Sequence, residues 1–207
     1  MSKPRRSSGS WHERQQRDPY VQRARKEGWR SRAVYKLQQI DQKERLLRPD
    51  MVCVDLGSAP GGWSQYVSAT LKGRARIVAV DILAMDSLPD VEFIQGDFQD
   101  EPIYGQLLEA IGEAGADLVL SDMAPNISGS KAVDQPRSMV LAEFALDTAR
   151  QLLKPNGSFV CKVFQGEGFD AFVVEARRCF ERVRVMKPKA SRAGSREVYL
   201  VARNYRL

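Results

Sequence analysis

Residues 51–62, MVCVDLGSAPGG, indicate the fold class of this chain. A short apolar run from Met51 to Leu56 opens directly into a glycine-rich turn, and a helical pattern from Trp63 to Leu71 follows. This order predicts a buried strand, a glycine turn and a helix. In open α/β sheets a ligand binds at the carboxyl end of such a strand, so the stretch also predicts a binding site.

The same alternation of apolar runs and helical patterns continues along the chain. We expect further strands at residues 77–80, 91–94, 117–120, 158–163, 183–186 and 198–202. Strands that alternate with helices predict an α/β fold with a mostly parallel sheet and helices on both faces. No convincing helix separates the last two strands, which are expected to be antiparallel.

The first 28 residues differ from the rest, because they are rich in Ser, Arg, Gln and Gly and lack apolar periodicity. We expect residues 1–28 to form a basic arm that is mobile without a partner, and residues 29–207 to form a single domain. Order is expected to begin near Ser31, which can cap a helix that carries Lys36 and ends before Pro49. Residues 138–153 are expected to form another helix, which the turn at 155–157 ends.

Positive charge is concentrated in two segments. Residues 1–32 carry a net charge of +7, and Arg177 to Arg196 also carry +7, which leaves −8 for the rest because the whole chain carries +6. Two basic segments on an acidic body are typical of a protein that binds a polyanion, and both segments are expected to contact it. The alternative for the first segment is a solvated charged tail.

Several classes of protein are disfavoured. No apolar run is long enough to span a bilayer and no signal-peptide core is visible, so we expect a cytoplasmic, soluble protein without membrane contact. The three cysteines, Cys53, Cys161 and Cys179, lack CxxC spacing, which predicts neither a disulfide nor a zinc site. The only histidine is His12, and no metal centre is expected.

The glycine turn does not fit a phosphate-binding loop. It matches neither GxxxxGK nor GxGxxG, no Lys or Arg lies within it, and Asp55 would repel a pyrophosphate. S-adenosylmethionine fits better, since it carries an ammonium, a sulfonium, a ribose and an adenine but no phosphate. Asp81 ends the second strand, where an acid accepts hydrogen bonds from a ribose, and Asp97 follows the third strand, where it could accept from the adenine amino group. The alternative is that each aspartate only caps a turn.

Four further charged residues stand where a purely structural role is awkward: Lys36, Asp122, Lys162 and Glu197. Lys162 is the sharpest case, because a lysine in an apolar central strand is costly unless its ammonium is paired or functional. Each residue could also form an ordinary salt bridge.

Five segments of the sequence resemble the FtsJ/RrmJ (RlmE) family of ribosomal RNA large-subunit 2′-O-methyltransferases. They are residues 31–37 (SRAVYKL), 55–66 (DLGSAPGGWSQY), 121–126 (SDMAPN), 162–168 (KVFQGEG), and 187–192 (KPKASR) together with 197–199 (EVY). The resemblance covers nearly everything from Ser31 to Ala202. Ser58 departs from the alanine that is common in the family, and this extra hydroxyl casts little doubt on the site.

The resemblance implies a Rossmann-like methyltransferase fold with a seven-stranded sheet and an antiparallel last strand. It also implies a Lys-Asp-Lys-Glu tetrad on Lys36, Asp122, Lys162 and Glu197. The implied contacts to S-adenosylmethionine, which leaves as S-adenosylhomocysteine, are Gly61, Trp63, Asp81, Asp97 and Asp122, with Asp55 and Gly57 nearby. The implied substrate is a uridine ribose of large-subunit ribosomal RNA in the assembled large ribosomal subunit, modified by a monomeric enzyme.

The chemistry leaves two roles open for Lys162. Desolvation and the cation of Lys36 would favour its neutral amine, a general base, whereas Asp122 and Glu197 would favour the ammonium, which stabilises a developing alkoxide. Other functions also stay open: ribose methylation of an mRNA cap or a tRNA, and a noncatalytic ribosome-assembly factor that binds RNA. The sequence SDMAP after the fourth strand disfavours a nucleobase amino-methyltransferase, which uses an Asn- or Asp-Pro-Pro-Tyr type of motif.

Overall fold

The computed structural model describes residues 17–206, which form a seven-stranded sheet between two layers of helices. The strands are β1 (Met51–Leu56), β2 (Ala75–Asp81), β3 (Val91–Gln95), β4 (Ala116–Ser121), β5 (Leu153–Phe164), β6 (Phe180–Met186) and β7 (Glu197–Tyr205). The helices of the described part are α1 (Pro19–Glu27), α2 (Val34–Glu44), α3 (Gly62–Leu71), α4 (Glu101–Ile111), α5 (Lys131–Leu152) and α6 (Phe169–Cys179).

The strand order in the sheet is β3-β2-β1-β4-β5-β7-β6. Strands β1 to β5 run parallel to one another, and β7 runs antiparallel to both β5 and β6. The Rossmann-like architecture and the antiparallel last strand are therefore confirmed. The chain moves outward from β1 through β2 and β3, then returns to place β4 on the other side of β1. The carboxyl ends of β1 and β4 thus flank a topological switch point, where such sheets bind ligands.

Both faces of the sheet are buried, which explains why the central strands are almost uniformly apolar. On one face Val54 and Leu56 of β1 pack in a cluster with residues of α4, α5 and α6. On the other face Cys53 packs in a second cluster with residues of α1, α2 and α3. The helices on the two faces hold the strand ends rigidly, so the loops after β1, β2, β3 and β4 have a fixed frame.

Residues 19–27 of the expected arm form helix α1, so the expectation that order begins near Ser31 is wrong. Asp18 caps this helix, since its Oδ1 accepts a hydrogen bond of 2.9 Å from the Tyr20 amide. The Tyr20 ring packs on Tyr35 of α2 with ring centroids 5.4 Å apart, and Ala24 is buried. One small buried residue and a few aromatic and ionic contacts hold the helix, so its sequence shows no apolar stripe. Residues 1–16 of the expected arm lie outside the described part of the chain.

Three expected boundaries were also wrong. The Ser31 side chain accepts from the Ala33 amide at 3.2 Å, so Ser31 stabilises the turn before α2 and does not cap the helix itself. Helix α5 begins at Lys131, seven residues before the expected start, and holds Pro136 inside. The expected turn at 155–157 lies within β5, next to a register irregularity between β4 and β5.

Candidate active site

An acidic cavity of about 460 Å³ opens at the carboxyl ends of β1 to β4. Three carboxylates line it, those of Asp81, Asp97 and Asp122, and so does Gly57 of the glycine turn. Gly57 has a φ of +72°, and a Cβ added there would lie 2.3 Å from Cγ of Met123 in the loop after β4. Glycine is therefore needed for the two loops to approach each other at the cavity floor.

Backbone amides hold the Asp81 carboxylate in place. Its Oδ2 accepts from the Ala59 amide and its Oδ1 from the Leu83 amide, both at 2.8 Å. Asp97 is held similarly, because its Oδ1 accepts from the Gln99 amide at 2.9 Å. The turn-capping alternative thus describes part of what these aspartates do. Each carboxylate oxygen has a second lone pair, so both groups can still accept hydrogen bonds from a molecule in the cavity.

The walls of the acidic cavity suit the adenosine part of S-adenosylmethionine. Ile82 and Leu83 line it although they are 66% and 62% exposed, and Phe98 and Phe144 line it as well. Exposed apolar side chains around a cleft favour a flat apolar group such as adenine. Among the described residues, no Lys or Arg lines this cavity, so it lacks cations for a phosphate. Apolar walls and carboxylate acceptors together fit a cationic nucleoside.

Three of the expected cofactor residues, Asp55, Gly61 and Trp63, are not among the residues that line the acidic cavity. Trp63 is buried and its Nε1 donates to the Ala33 carbonyl at 2.9 Å. Gly61 has a φ of +102°, and a Cβ there would lie 2.8 Å from Sδ of Met85. Asp55 is buried and accepts a 2.6 Å hydrogen bond from the Ser64 hydroxyl, and burial raises the pKa of its carboxyl to about 7. Direct cofactor contact by these residues stays a prediction; the structure shows them supporting the turn.

The structure brings the four residues of the expected tetrad together as two ion pairs. Lys162 Nζ lies 3.0 Å from Asp122 Oδ1 and also donates to the Asp122 carbonyl at 2.6 Å. Lys36 Nζ lies 2.8 Å from Glu197 Oε1. Burial raises the pKa of the Asp122 carboxyl, but the ammonium groups of Lys162 and Lys36 and the hydrogen bonds from Tyr199 and Lys162 together lower it by more, so it lies below its ordinary value. Asp122 is therefore ionised at neutral pH.

A second, cationic cavity of about 740 Å³ lies on the other side of the Asp122–Lys162 pair. Six cationic side chains line it, those of Arg32, Lys36, Lys131, Lys162, Arg192 and Arg196. Asp134 and Glu197 are the acids among its described lining residues. Ala124 lines both cavities, and Asp122 in the acidic cavity contacts Lys162 in the cationic one. A cationic nucleoside and a polyanion bound in the two cavities would therefore meet at this ion pair.

Known proteins that resemble this chain are methyltransferases, in agreement with the site described above. Residues 29–205 match the model of the FtsJ-like methyltransferases. The chain belongs to the FtsJ-like methyltransferase family. It is 53% identical over 206 residues to the ribosomal RNA large subunit methyltransferase E of Pseudomonas fluorescens, covering all of this chain and 98% of that protein. The Pseudomonas aeruginosa protein of the same name is 54% identical over 97% of each chain.

Solved structures agree with this membership. The crystal structure of a putative ribosomal RNA methyltransferase from Plasmodium falciparum has a TM-score of 0.77 and 29% identity, and the match covers 86% of this chain and 98% of that one. Human methyltransferase-like protein 13, in complex with SAH, has a TM-score of 0.56 over 83% of this chain and 82% of that one. At 18% identity this second likeness shows the fold alone.

Sequence reasoning missed Tyr199 as part of this methyltransferase's site. Its hydroxyl donates to Asp122 Oδ1 at 2.6 Å, and Lys36 Nζ lies 5.7 Å from the centre of its ring. Burial, together with Asp122 and Glu197, raises the pKa of Tyr199 well above its ordinary value, so it stays a donor. The pairing of β7 with β5 could have revealed this residue, because Tyr199 lies opposite Lys162 in the sheet.

The basic residues of the second basic segment, Arg177 to Arg196, lie on different parts of the structure. Arg182 and Arg184 pair with the buried carboxylate of Glu44 at 3.1 and 3.0 Å, and so anchor β6 to the end of α2. Arg192 and Arg196 line the cationic cavity. The guanidinium groups of Arg182 and Arg184 thus have structural partners, and the expectation that the whole segment contacts RNA stays a prediction.

Within residues 17–206 no group of three or more His, Cys, Asp or Glu side chains could hold a metal ion. In the same part of the chain no helix is long and apolar enough to cross a membrane. Cys53, Cys161 and Cys179 are buried free thiols.

Proposed function

We propose that this FtsJ-like methyltransferase transfers a methyl group from S-adenosylmethionine to a ribose 2′-hydroxyl of large-subunit ribosomal RNA. We further propose that the target is a uridine of the assembled large subunit and that the enzyme acts as a monomer. The observation that carries the proposal is the meeting of the acidic and the cationic cavity at Asp122 and Lys162. The names of the relatives, which are ribosomal RNA large subunit methyltransferases, support the choice of RNA.

The acidic cavity would hold the methyl donor. Bound S-adenosylmethionine supplies a methyl group on a sulfonium, and S-adenosylhomocysteine is the product. Asp81, fixed by two amides, would accept from the ribose hydroxyls, and Asp97 would accept from the adenine amino group. Asp122 is ionised and lines the same cavity, so its charge would attract the cationic end of the ligand.

Lys162 would hold the acceptor hydroxyl. An ammonium has three N–H donors, and Lys162 uses two on Asp122, which leaves one for the ribose oxygen. Because both of these hydrogen bonds go to Asp122 oxygens, the proposal gives Lys162 the role of a cation and not that of a general base. Lys162 would therefore orient the oxygen in line with the methyl group and stabilise the negative charge that develops on it, while the proton passes to water.

The second ion pair supports the first. Glu197 accepts hydrogen bonds from Lys36 at 2.8 Å and from the Ser191 hydroxyl at 2.9 Å, so Lys36 is fixed at the cavity wall. Lys36 adds a second cation near the acceptor oxygen and helps to keep Asp122 ionised. Both effects lower the free energy of a transition state that carries negative charge on the ribose oxygen.

RNA would bind to basic residues that line the cationic cavity and to residues 1–16 at the start of the chain. Arg192 and Lys131 at the rim would contact phosphates, which position RNA without selecting a base. We propose that residues 17–207 form the catalytic domain and that residues 1–16, with four basic residues against one acidic residue, add further phosphate contacts.

The test is transfer of a labelled methyl group to three substrates: isolated ribosomal RNA, assembled large subunits and tRNA, each prepared without the modification. The proposal expects label in the large-subunit RNA and the highest rate with assembled subunits. Label in tRNA alone would replace the ribosomal substrate with a tRNA. Cofactor binding without transfer to any RNA would support a noncatalytic assembly factor.

A further inference from the structure

Two large apolar side chains, those of Phe164 and Ile127, stand among the charged residues that line the cationic cavity. Phe164 ends β5, two residues after Lys162, so both side chains project from the same face of that strand. Ile127, in the loop after β4, lines the same cavity and is 61% exposed. The reaction at Lys162 requires neither group. An aromatic ring and an aliphatic side chain beside a polyanion site instead suit a ligand with both phosphates and a flat ring.

A buried glutamine of α5 fixes this part of the cavity. Gln135 donates from Nε2 to the Phe164 carbonyl at 3.0 Å and to the Glu167 carbonyl at 2.9 Å, and its Oε1 accepts from Arg196 at 2.9 Å. The Arg196 guanidinium in turn lies 5.9 Å from the centre of the Phe164 ring. A Cβ on Gly166 would lie 2.8 Å from the Gln135 side chain, so glycine lets the loop close on it. Phe164 and Arg196 are thus held in one rigid unit.

The spacing of residues along β5 gives the distance between Phe164 and the 2′-oxygen that Lys162 is proposed to hold. Side chains two residues apart on a strand are separated by about 6.6 Å. A single nucleotide can span that distance between its 2′-oxygen and its base. With the 2′-oxygen at Lys162, the base of the same nucleotide reaches Phe164. A base stacked in a helix could not do so, and enzymes that modify nucleotides commonly take the target out of the stack.

We infer that Phe164 and Ile127 bind the base of the nucleotide being methylated, which enters the cationic cavity unstacked, while Arg196 contacts its phosphate. This inference rests on the proposed function, because it assumes that the cavity takes RNA. Stacking on an aromatic ring is tolerant of sequence, so the subsite would select an unpaired nucleotide and leave the choice of site to the surrounding RNA.

The test measures binding without turnover, on protein saturated with S-adenosylhomocysteine. The probes are two fluorescently labelled chains of equal charge: a hexauridylate and a base-free hexamer of the same ribose–phosphate backbone. We expect the wild type to prefer the hexauridylate by about tenfold, the size of one base–aromatic stack. Phe164→Ala should remove most of this preference and leave affinity for the base-free chain unchanged. Arg196→Gln should weaken both chains equally.

Two controls keep the result interpretable. Val174→Ala removes an apolar side chain that is 48% exposed on α6, outside the residues that line the cavity, and should change neither affinity. Phe164→Leu keeps apolar bulk if the alanine variant unfolds, and should lose part of the preference at an unchanged melting temperature. A wild type that binds both chains equally, or an unchanged preference in folded Phe164 variants, would overturn the inference.

The inference and the proposed function can fail separately. If only the inference is wrong, the wild type still methylates ribosomal RNA, and Phe164→Ala keeps its KM for the large subunit and its preference for bases. If the proposed function is wrong, the wild type transfers no methyl group to ribosomal RNA whatever the hexamers show. If both are right, Phe164→Ala raises KM for the subunit and leaves affinity for S-adenosylhomocysteine unchanged.

Discussion

Replacing Lys162 by methionine removes the cation at the meeting point of the two cavities and keeps an unbranched side chain of similar length. Lys162 contributes two hydrogen bonds to Asp122 and, in the proposed mechanism, a third to the acceptor oxygen. Loss of one preorganised donor at a developing oxyanion costs about 10²- to 10³-fold in kcat. We therefore expect the kcat of Lys162→Met to fall by at least about 100-fold, with little change in affinity for S-adenosylmethionine.

The same substitution should lower stability by an amount that the structure bounds. Lys162 and Asp122 are 8% and 18% exposed, and removing one partner of a fully buried pair costs about 3–5 kcal/mol. Asp122 keeps the hydroxyl of Tyr199 at 2.6 Å and some contact with solvent, so the cost should be nearer about 2–3 kcal/mol. For a chain of this size that lowers Tm by about 4–12 °C.

Lys154→Met is the matched control. Lys154 also pairs with a buried aspartate, Asp117, at 2.7 Å, but far from both cavities, and Asp117 keeps Arg48 and the Val52 amide as partners. This variant should lose some stability and no activity. The assays are single-turnover methyl transfer, calorimetry with S-adenosylmethionine, and thermal unfolding. A folded Lys162→Met enzyme with a kcat within a few-fold of wild type would refute the role given to Lys162.

Three further perturbations test other parts of the site. Asp81→Asn should weaken S-adenosylmethionine binding by about tenfold, as for one hydrogen bond to a charged group, and calorimetry should show no change for Asp86→Asn in the same loop. The pKa of Asp55 is raised to about 7, so the wild type loses stability as pH rises from about 4 through 7. Asp55→Asn should remove this loss, which is at most about 4 kcal/mol. Urea titrations of both proteins at pH 5 and pH 8 measure it, and an equal loss in the two proteins would contradict the prediction. Deleting residues 1–16 should flatten the slope of log affinity for RNA against log salt concentration by at most about 3 to 4 and leave Tm unchanged. Deleting residues 1–28 also removes α1 and should lower Tm. Equal slopes for the full chain and the chain without residues 1–16 would mean that these residues contact no phosphates.

Patterns that depend on neighbours in sequence predicted most of the fold. The apolar runs of β1, β2, β3 and β4 were found because strands buried on both faces must be apolar along their length. Helix α1 was missed because its stability comes from contacts with residues distant in sequence, such as Asp18 with Arg32 at 3.2 Å. The start of α5 was missed for a different, local reason: the Asp134 carboxylate accepts from the Ser128 and Gly129 amides, a contact that the apolar pattern does not show.

The site was predictable only as a set of residue types. Strand ends placed Asp81 and Asp97 at one edge of the sheet, and the resemblance supplied the tetrad, which the structure assembles as two ion pairs. Which basic residues face the cavity could not be read from charge, because Arg184 and Arg196 lie in one segment and point to different partners. The sequence shows where a basic residue stands along the chain, but only the packed structure shows whether that residue pairs with a buried carboxylate.

The central claim is that the atom methylated is the 2′-oxygen of a ribose in large-subunit RNA. The most direct measurement is transfer of a deuterated methyl group to unmodified large subunits, followed by digestion to nucleosides and mass spectrometry. The account expects the label on the ribose of a single uridine and on no base, and it expects Lys162→Met to add that label at least about 100-fold more slowly. Label on a nucleobase would contradict it, because the two ion pairs would then not serve a hydroxyl.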